Sequence, residues 1–228
     1  VSIVADAWEF LTTADNWSGP RGILARGRAH VWISVVSTLI AAALAIPTAV
    51  VMAHRRIAPV LSVAVVNIAR AVPSFAIIAL VFPLSIRFGF GLGFWPTCVA
   101  LVALAIPPMF TNTYAGILSA PSESLEAARG IGMTGPQVLR SVELPNALPL
   151  VITGVRISSV QVVATATLGA IVGFECLGSF IVSGLARGSA GQPAVVAGAV
   201  LVAALALSVD AVLGFARPRL VPWADRVR

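Results

Sequence analysis

Between Val31 and Phe215 the chain returns repeatedly to apolar runs, several of which reach the roughly 20 residues a helix needs to cross a bilayer. A membrane β-barrel would instead show short segments of alternating polarity, and none appear. Hydrophobic residues make up 58% of the 228 and charged residues only 11%, too little charge to keep a soluble domain of this size dispersed. The chain therefore reads as an all-α, polytopic membrane protein.

Five crossings are predicted. Residues 1–30 carry Asp6, Glu9, Asp15, Trp8 and Trp17. They read as an interfacial or extramembrane lead-in with a short amphipathic helix, its tryptophans at headgroup level. Residues 1–20 are polar and acidic, unlike a cleavable signal peptide. The first span covers 31–53 and ends at His54-Arg55-Arg56. Residues 58–86 are apolar but interrupted by Arg70, Pro73 and Pro83, and Pro73 bends or breaks a helix because it has no N–H. This stretch counts as one crossing, whether as one kinked span or as a short helix 58–70 followed by a span 72–86. Two crossings here would raise the total to six. Residues 87–93 form a glycine loop without the flanking strand or Gly-Lys-Ser/Thr of a phosphate-binding loop. The other spans cover 94–118, with a kink at Pro107-Pro108, then 147–173 and 193–215. A polar loop, 119–146, and a glycine-rich polar segment, 174–192, separate them. The chain thus divides into a lead-in (1–30), a membrane domain (31–216) and a tail (217–228).

All fifteen basic residues are arginine, and the net charge is +6. They are scattered and lack the aromatic platform of a nucleic-acid surface, so no nucleic-acid partner is expected. Topology explains them better. With loop 119–146 in the cytoplasm, the inner side holds Arg55, Arg56, Arg129, Arg140, Arg217, Arg219, Arg226 and Arg228, while the outer loops between spans hold only Arg87 and Arg187. That obeys the positive-inside rule. Arg21, Arg26 and Arg28 in the N-terminal segment, then outside, run against it.

Ionisable groups within spans are costly and face a partner or water. Arg70, Arg156 and Asp210 are of this kind, with Glu175 beside a span. Arg156 and Asp210 can pair, a structural role favoured over substrate contact. Gln161 and Thr165, four residues apart, share a helix face, and Thr167 lies off it. They read equally as helix packing or as the wall of a translocation path. No aromatic cage for a cation is evident among the spans. Cys98, Cys176, His30 and His54 form no metal-ligand pattern. The two cysteines read as buried thiols, with a disulfide as the alternative.

The loop 119–146 has its own helix grammar. Ser122 can cap a first helix, with Glu123 at its positive end, and Gly130 and Gly132 stop it. Thr134 and Gln137 have capping-box spacing for a second helix with Pro136 in its first turn, and Leu144-Pro145 ends it. Glu126 supplies one directed charge, and the small Ala127, Ala128 and Gly132 would let a partner approach the backbone closely. A short helix seated in a partner's groove transmits rigid-body motion.

The spacing is specific. Glu126-Ala127-Ala128, three residues, Gly132, nine residues, Val142, one residue, Leu144-Pro145 resembles the conserved loop of binding-protein-dependent ABC importer permeases. Val142 stands where that pattern usually has isoleucine, and Met133 follows the motif glycine within the same loop. Other segments resemble the osmoprotectant branch of that family. They include Gly22 to Arg26, Ala69-Arg70-Ala71-Val72-Pro73-Ser74, Leu144 to Leu150, Gly154-Val155-Arg156, Val160-Gln161, Thr165 to Leu168 and Gly178 to Gly184. The resemblance spans most of 20–220.

It implies a type I importer permease fold in a bacterial cytoplasmic membrane; the arginine distribution, with five crossings, puts the N-terminus outside and the C-terminus in the cytoplasm. It implies a compatible solute as cargo (glycine betaine, choline, carnitine or proline betaine), with methionine or another small solute as the alternative. The implied partners are two cytoplasmic ATPase subunits, a second permease, identical or sister, and an extracellular or lipid-anchored binding protein. ATP and Mg would sit on the partner ATPase; this chain has no Walker A sequence and is expected to be non-catalytic, without a cofactor. An ion-coupled secondary transporter fits less well, because no inverted repeat is evident and Asp210 is the one deep acid candidate.

Overall fold

The computed structural model describes residues 3–57 and 73–222. These are helical, with no strand among them. The long helices are α2 (Ile23–His54), α4 (Phe94–Leu118), α7 (Leu144–Thr165) and α9 (Gln192–Leu220). Shorter ones are α1 (Ile3–Thr12), α3 (Ser74–Arg87), α5 (Ser122–Gly130), α6 (Gly135–Val138) and α8 (Gly178–Ala186). Among the described residues four helical stretches are long and apolar enough to cross a membrane: Ile23–His54, Phe94–Leu118, Gly135–Val172 and Gly188–Arg219. The 14 residues of α3 reach about 21 Å, short of a hydrocarbon core of roughly 30 Å. α3 begins directly after Pro73, whose extended backbone precedes the first turn. The remainder of the expected crossing 58–86, including Arg70, lies outside the described residues.

α4 is the centre of the bundle and packs most extensively against α2 and α7. Side-chain size makes this possible. On α2, Ile33, Ser37, Ala41, Ala45, Ala49 and Ala53 recur every fourth residue and are all buried. A ridge of small residues lets two helices approach where the lipid supplies no hydrophobic drive between them. Facing it are Cys98, Leu101, Ala105 and Met109 of α4, with Val162 of α7. The outward faces are apolar instead: Trp32, Val35, Leu39 and Leu44 on α2, and Leu207, Val212 and Phe215 on α9.

α2 starts at Ile23, eight residues before the predicted span, because Gly22 supplies an extended N-cap. α4 runs through Pro107-Pro108 without stopping, and Thr111 and Asn112 donate side-chain hydrogen bonds back to the carbonyls of Pro107 and Pro108 at 2.9 and 2.8 Å. The segment 174–192, read from sequence as a polar glycine-rich connection, contains α8. Its glycines serve packing: a Cβ on Gly178 would sit 2.3 Å from the Thr167 carbonyl oxygen, and one on Gly184 would sit 2.7 Å from that of Gly191. α8 folds back on α9, and Phe10 of α1 meets Phe180 edge-on at 5.7 Å.

Candidate functional site

The polar loop leaves α4 at Leu118 and projects two helices. Pro121, in extended conformation, takes the N-cap of α5, so Ser122 becomes the first helical residue and makes no capping bond, contrary to the expected Ser122 cap. Glu123 still lies in the positive first turn. The end of α5 is a full Schellman motif: Gly132 N–H donates to Arg129 at 3.0 Å and Met133 N–H to Ala128 at 3.1 Å. Gly132 takes the left-handed position, φ +85°, while Gly130 remains within the helix. α6 opens with a capping box, in which Gln137 Oε1 accepts the Thr134 N–H at 2.7 Å.

Leu144-Pro145 does not end that second helix. Leu139–Glu143 form a π-helical turn that runs from α6 straight into α7. In a turn bonded i→i+5 the helix widens, which accommodates the Pro145 ring and its missing N–H. The loop's second half is thereby one rigid rod with the following span, 38 residues from Gly135 to Val172.

The motif residues point in two directions. Leu125 and Ala128 face inward, packing with Ala120, Val138, Met133 and Val142. Ala128, expected to admit a partner, is buried and instead lets α5 lie close to α6, because it shares the inward face with Leu125 three residues earlier. Glu126, Ala127 and Gly132 are exposed. So is Ile131, at 76%, an apolar side chain standing free in a polar loop. Sequence reading passed over Ile131; its signal is an isolated β-branched residue held between Gly130 and Gly132. Leu144 and Pro145 are half-buried where the rod enters the bundle.

Deeper in the bundle, Gln161 and Thr165 on α7 are half-buried, and neither side chain makes a hydrogen bond among the described residues. Thr167, in the 3-10 turn that follows α7, donates back to Ala164 at 2.9 Å. Ile157 and Ala164 lie exposed beside Gln161, so this face of α7 is open in the single chain. Arg156 of α7 and Asp210 of α9 are brought together in a bidentate pair, Nε to Oδ1 and Nη2 to Oδ2 both at 2.6 Å. Arg26 pairs with Glu175 at 2.8 Å and lies 4.5 Å above the Phe180 ring. Cys98 and Cys176 are free and buried. Burial pushes the Cys176 thiol up from its ordinary pKa, partly offset by backbone N–H groups near Gly178 and Ser179.

Residues 34–222 match the family model described as the binding-protein-dependent transport system inner membrane component. The chain belongs to that family. The permease is 34% identical to the carnitine transport permease protein OpuCB of Listeria monocytogenes, over 86% of this chain and 87% of that one. It is 36% identical to the choline transport system permease protein OpuBB of Bacillus subtilis, over 85% and 86% of the two chains. It is 34% identical to the osmoprotectant import permease protein OsmY of Salmonella typhimurium, over 88% and 83%. Its fold is that of solved ABC importer permeases. It superposes on the inward-facing MetNI methionine ABC transporter with a TM-score of 0.71 at 24% identity, covering 88% of this chain and 94% of the other. It superposes on an amino acid ABC transporter crystallised with histidines with a TM-score of 0.73 at 16% identity, covering 96% and 99%. The permease is thus an inner-membrane transport component. ATP hydrolysis in such importers belongs to separate ATPase subunits, and a binding protein supplies the cargo.

Proposed function

We propose that this permease forms the translocation path for a compatible solute of the betaine, choline or carnitine class, and that residues 119–146 couple it to the ATPase. The observation that carries the coupling reading is the exposed ridge of Glu126 and Ala127 on α5 and Ile131 at its C-cap, joined through the Gly132 turn to a rod continuous with α7. An exposed apolar knob flanked by one carboxylate suits a groove on a cytoplasmic partner, and any displacement of α6 reaches α7 along the rod. The cargo assignment is supported by the carnitine, choline and osmoprotectant relatives.

In this reading two permeases, identical or sister, enclose the path, and two ATPases carrying ATP and Mg dock on the two loops. An extracellular binding protein delivers the solute, the N-terminus lies outside and the C-terminus in the cytoplasm. The open face of α7 with Gln161 and Thr165 then lines the path or meets the second permease, where the unpaired Gln161 amide finds its partner. Reconstitution of the purified complex in liposomes tests this. Expected is ATP-dependent uptake of radiolabelled betaine, choline or carnitine, lost in Glu126→Ala and Gly132→Val although both variants insert in the membrane. Normal uptake by both variants would overturn the coupling reading, and ATP-driven uptake of none of these solutes would overturn the cargo.

A further inference from the structure

One side chain ties the loop to a span with which it is not contiguous. His54 closes α2, and its Nδ1–H meets Oε2 of Glu143, the last residue of the π turn, at 2.5 Å. Glu143 is 2% exposed. The same imidazole faces the start of α6, since a Cβ on Gly135 would sit 3.5 Å from Nε2. The ring therefore pairs with the end of the π turn and faces the start of α6. Around it, Ala49 and Ala53 of α2, Tyr114 and Ile117 of α4, and Ala147 of α7 pack with Leu139 and Leu144. The loop cannot separate from the end of α2 without leaving a buried carboxylate without its partner, which is costly where water is excluded.

We propose that His54 is a positioning residue for transport: by holding Glu143 at the junction of the loop and α7, it makes the inner end of α2 move with the loop. Displacement of the loop by the ATPase is then delivered to two helices of the bundle, α7 through the continuous rod and α2 through the imidazole. α2 packs along α4 through the small-residue ridge, so its movement changes the packing of the bundle centre. The proposal rests on the coupling reading of residues 119–146.

The test is the number of ATP molecules hydrolysed per solute imported by the whole transporter in liposomes. His54→Ala is expected to keep ATP hydrolysis while this ratio rises roughly three- to tenfold. His54→Asn should restore most of the coupling, because its amide can donate to Glu143 as Nδ1 does. The double variant His54→Leu with Glu143→Leu removes the buried charge and keeps apolar bulk, so a merely structural pair would be fully replaced by it. Here the double variant is expected to assemble with the ATPase and remain uncoupled, which keeps the test valid if His54→Ala fails to fold. A wild-type ratio in His54→Ala or in the double leucine variant, with Glu126→Ala uncoupled beside it, overturns this inference alone. Normal coupling in both Glu126→Ala and Gly132→Val overturns the loop reading and this inference together.

Discussion

Gly214 leaves room for the Arg156 guanidinium: a Cβ at position 214 would lie 3.3 Å from Cζ, Nη1 and Nη2 of Arg156. Gly214 is one turn beyond Asp210 on α9, so the two residues share a face. The arginine head lies across the glycine and reaches both carboxylate oxygens at once. A bidentate arginine–carboxylate contact fixes orientation as well as distance, so the pair sets the rotation of α9 relative to α7.

Asp210→Asn should therefore lower the thermal stability of the detergent-extracted permease, because Arg156 is left without a counter-charge at membrane depth. Arg156→Leu combined with Asp210→Leu should recover much of it. Gly214→Val should fall between wild type and Asp210→Asn, since it crowds the guanidinium without removing the acid. A melting series on the four proteins checks the order. A double variant worse than Asp210→Asn would assign the pair a stabilising role beyond mutual neutralisation.

What could be read in the sequence followed from local rules. The apolar runs gave the long helices, and the Thr134–Gln137 spacing gave a real capping box. Gly132 was legible as a helix stop because a left-handed C-terminal residue is a local requirement. What failed depended on tertiary context. Leu144-Pro145 reads as a break, but the π turn ahead of it absorbs the proline. The glycines of 174–192 read only as a polar, glycine-rich connection, but Gly178, Gly184 and Gly191 are sites of contact between backbones. Ala128 reads as surface until Leu125 and Val138 are seen to bury it. His54 and Glu143 are 89 positions apart, and no spacing rule joins them.

The contact of α4 with α7 should be sensitive to a few methyl groups. A Cβ on Gly116 would sit 3.0 Å from Ala147 Cα, and one on Gly154 would sit 2.9 Å from Asn112 Cβ and 3.1 Å from the Pro108 oxygen. These neighbours are largely backbone and cannot swing away. Gly154→Leu is expected to destabilise by about 1–3 kcal/mol as an overpacked contact, with Gly154→Ala milder. Reversible unfolding in mixed micelles measures it. A neutral Gly154→Leu would mean that α4 and α7 are further apart in the membrane than in this bundle.

Both cysteines are buried and free, and the Cys176 thiol titrates above its ordinary value. A thiol raised in this way is almost wholly protonated at neutral pH and reacts slowly. Maleimide should label neither residue in intact membranes at pH 7, and both in detergent with denaturant. Labelling of Cys176 should accelerate as the pH rises toward its raised pKa. Prompt labelling at pH 7 would place Cys176 at a surface that opens in the working transporter.

Gly132 offers a choice between two reasons for a glycine. Its backbone is left-handed, yet nothing lies within 4 Å of where a Cβ would stand. If conformation is its role, Gly132→Ala should cost roughly 1–2 kcal/mol in the loop, and Gly132→Asn less, because asparagine enters the left-handed region more readily. Uptake should then rank glycine, asparagine, alanine, valine. If its role is to let the ATPase approach the backbone, size decides, and asparagine should be worse than alanine. Limited proteolysis of residues 129–134 separates the two: a conformational cost makes the alanine variant more readily cut even without the ATPase, whereas a docking cost shows only in the complex.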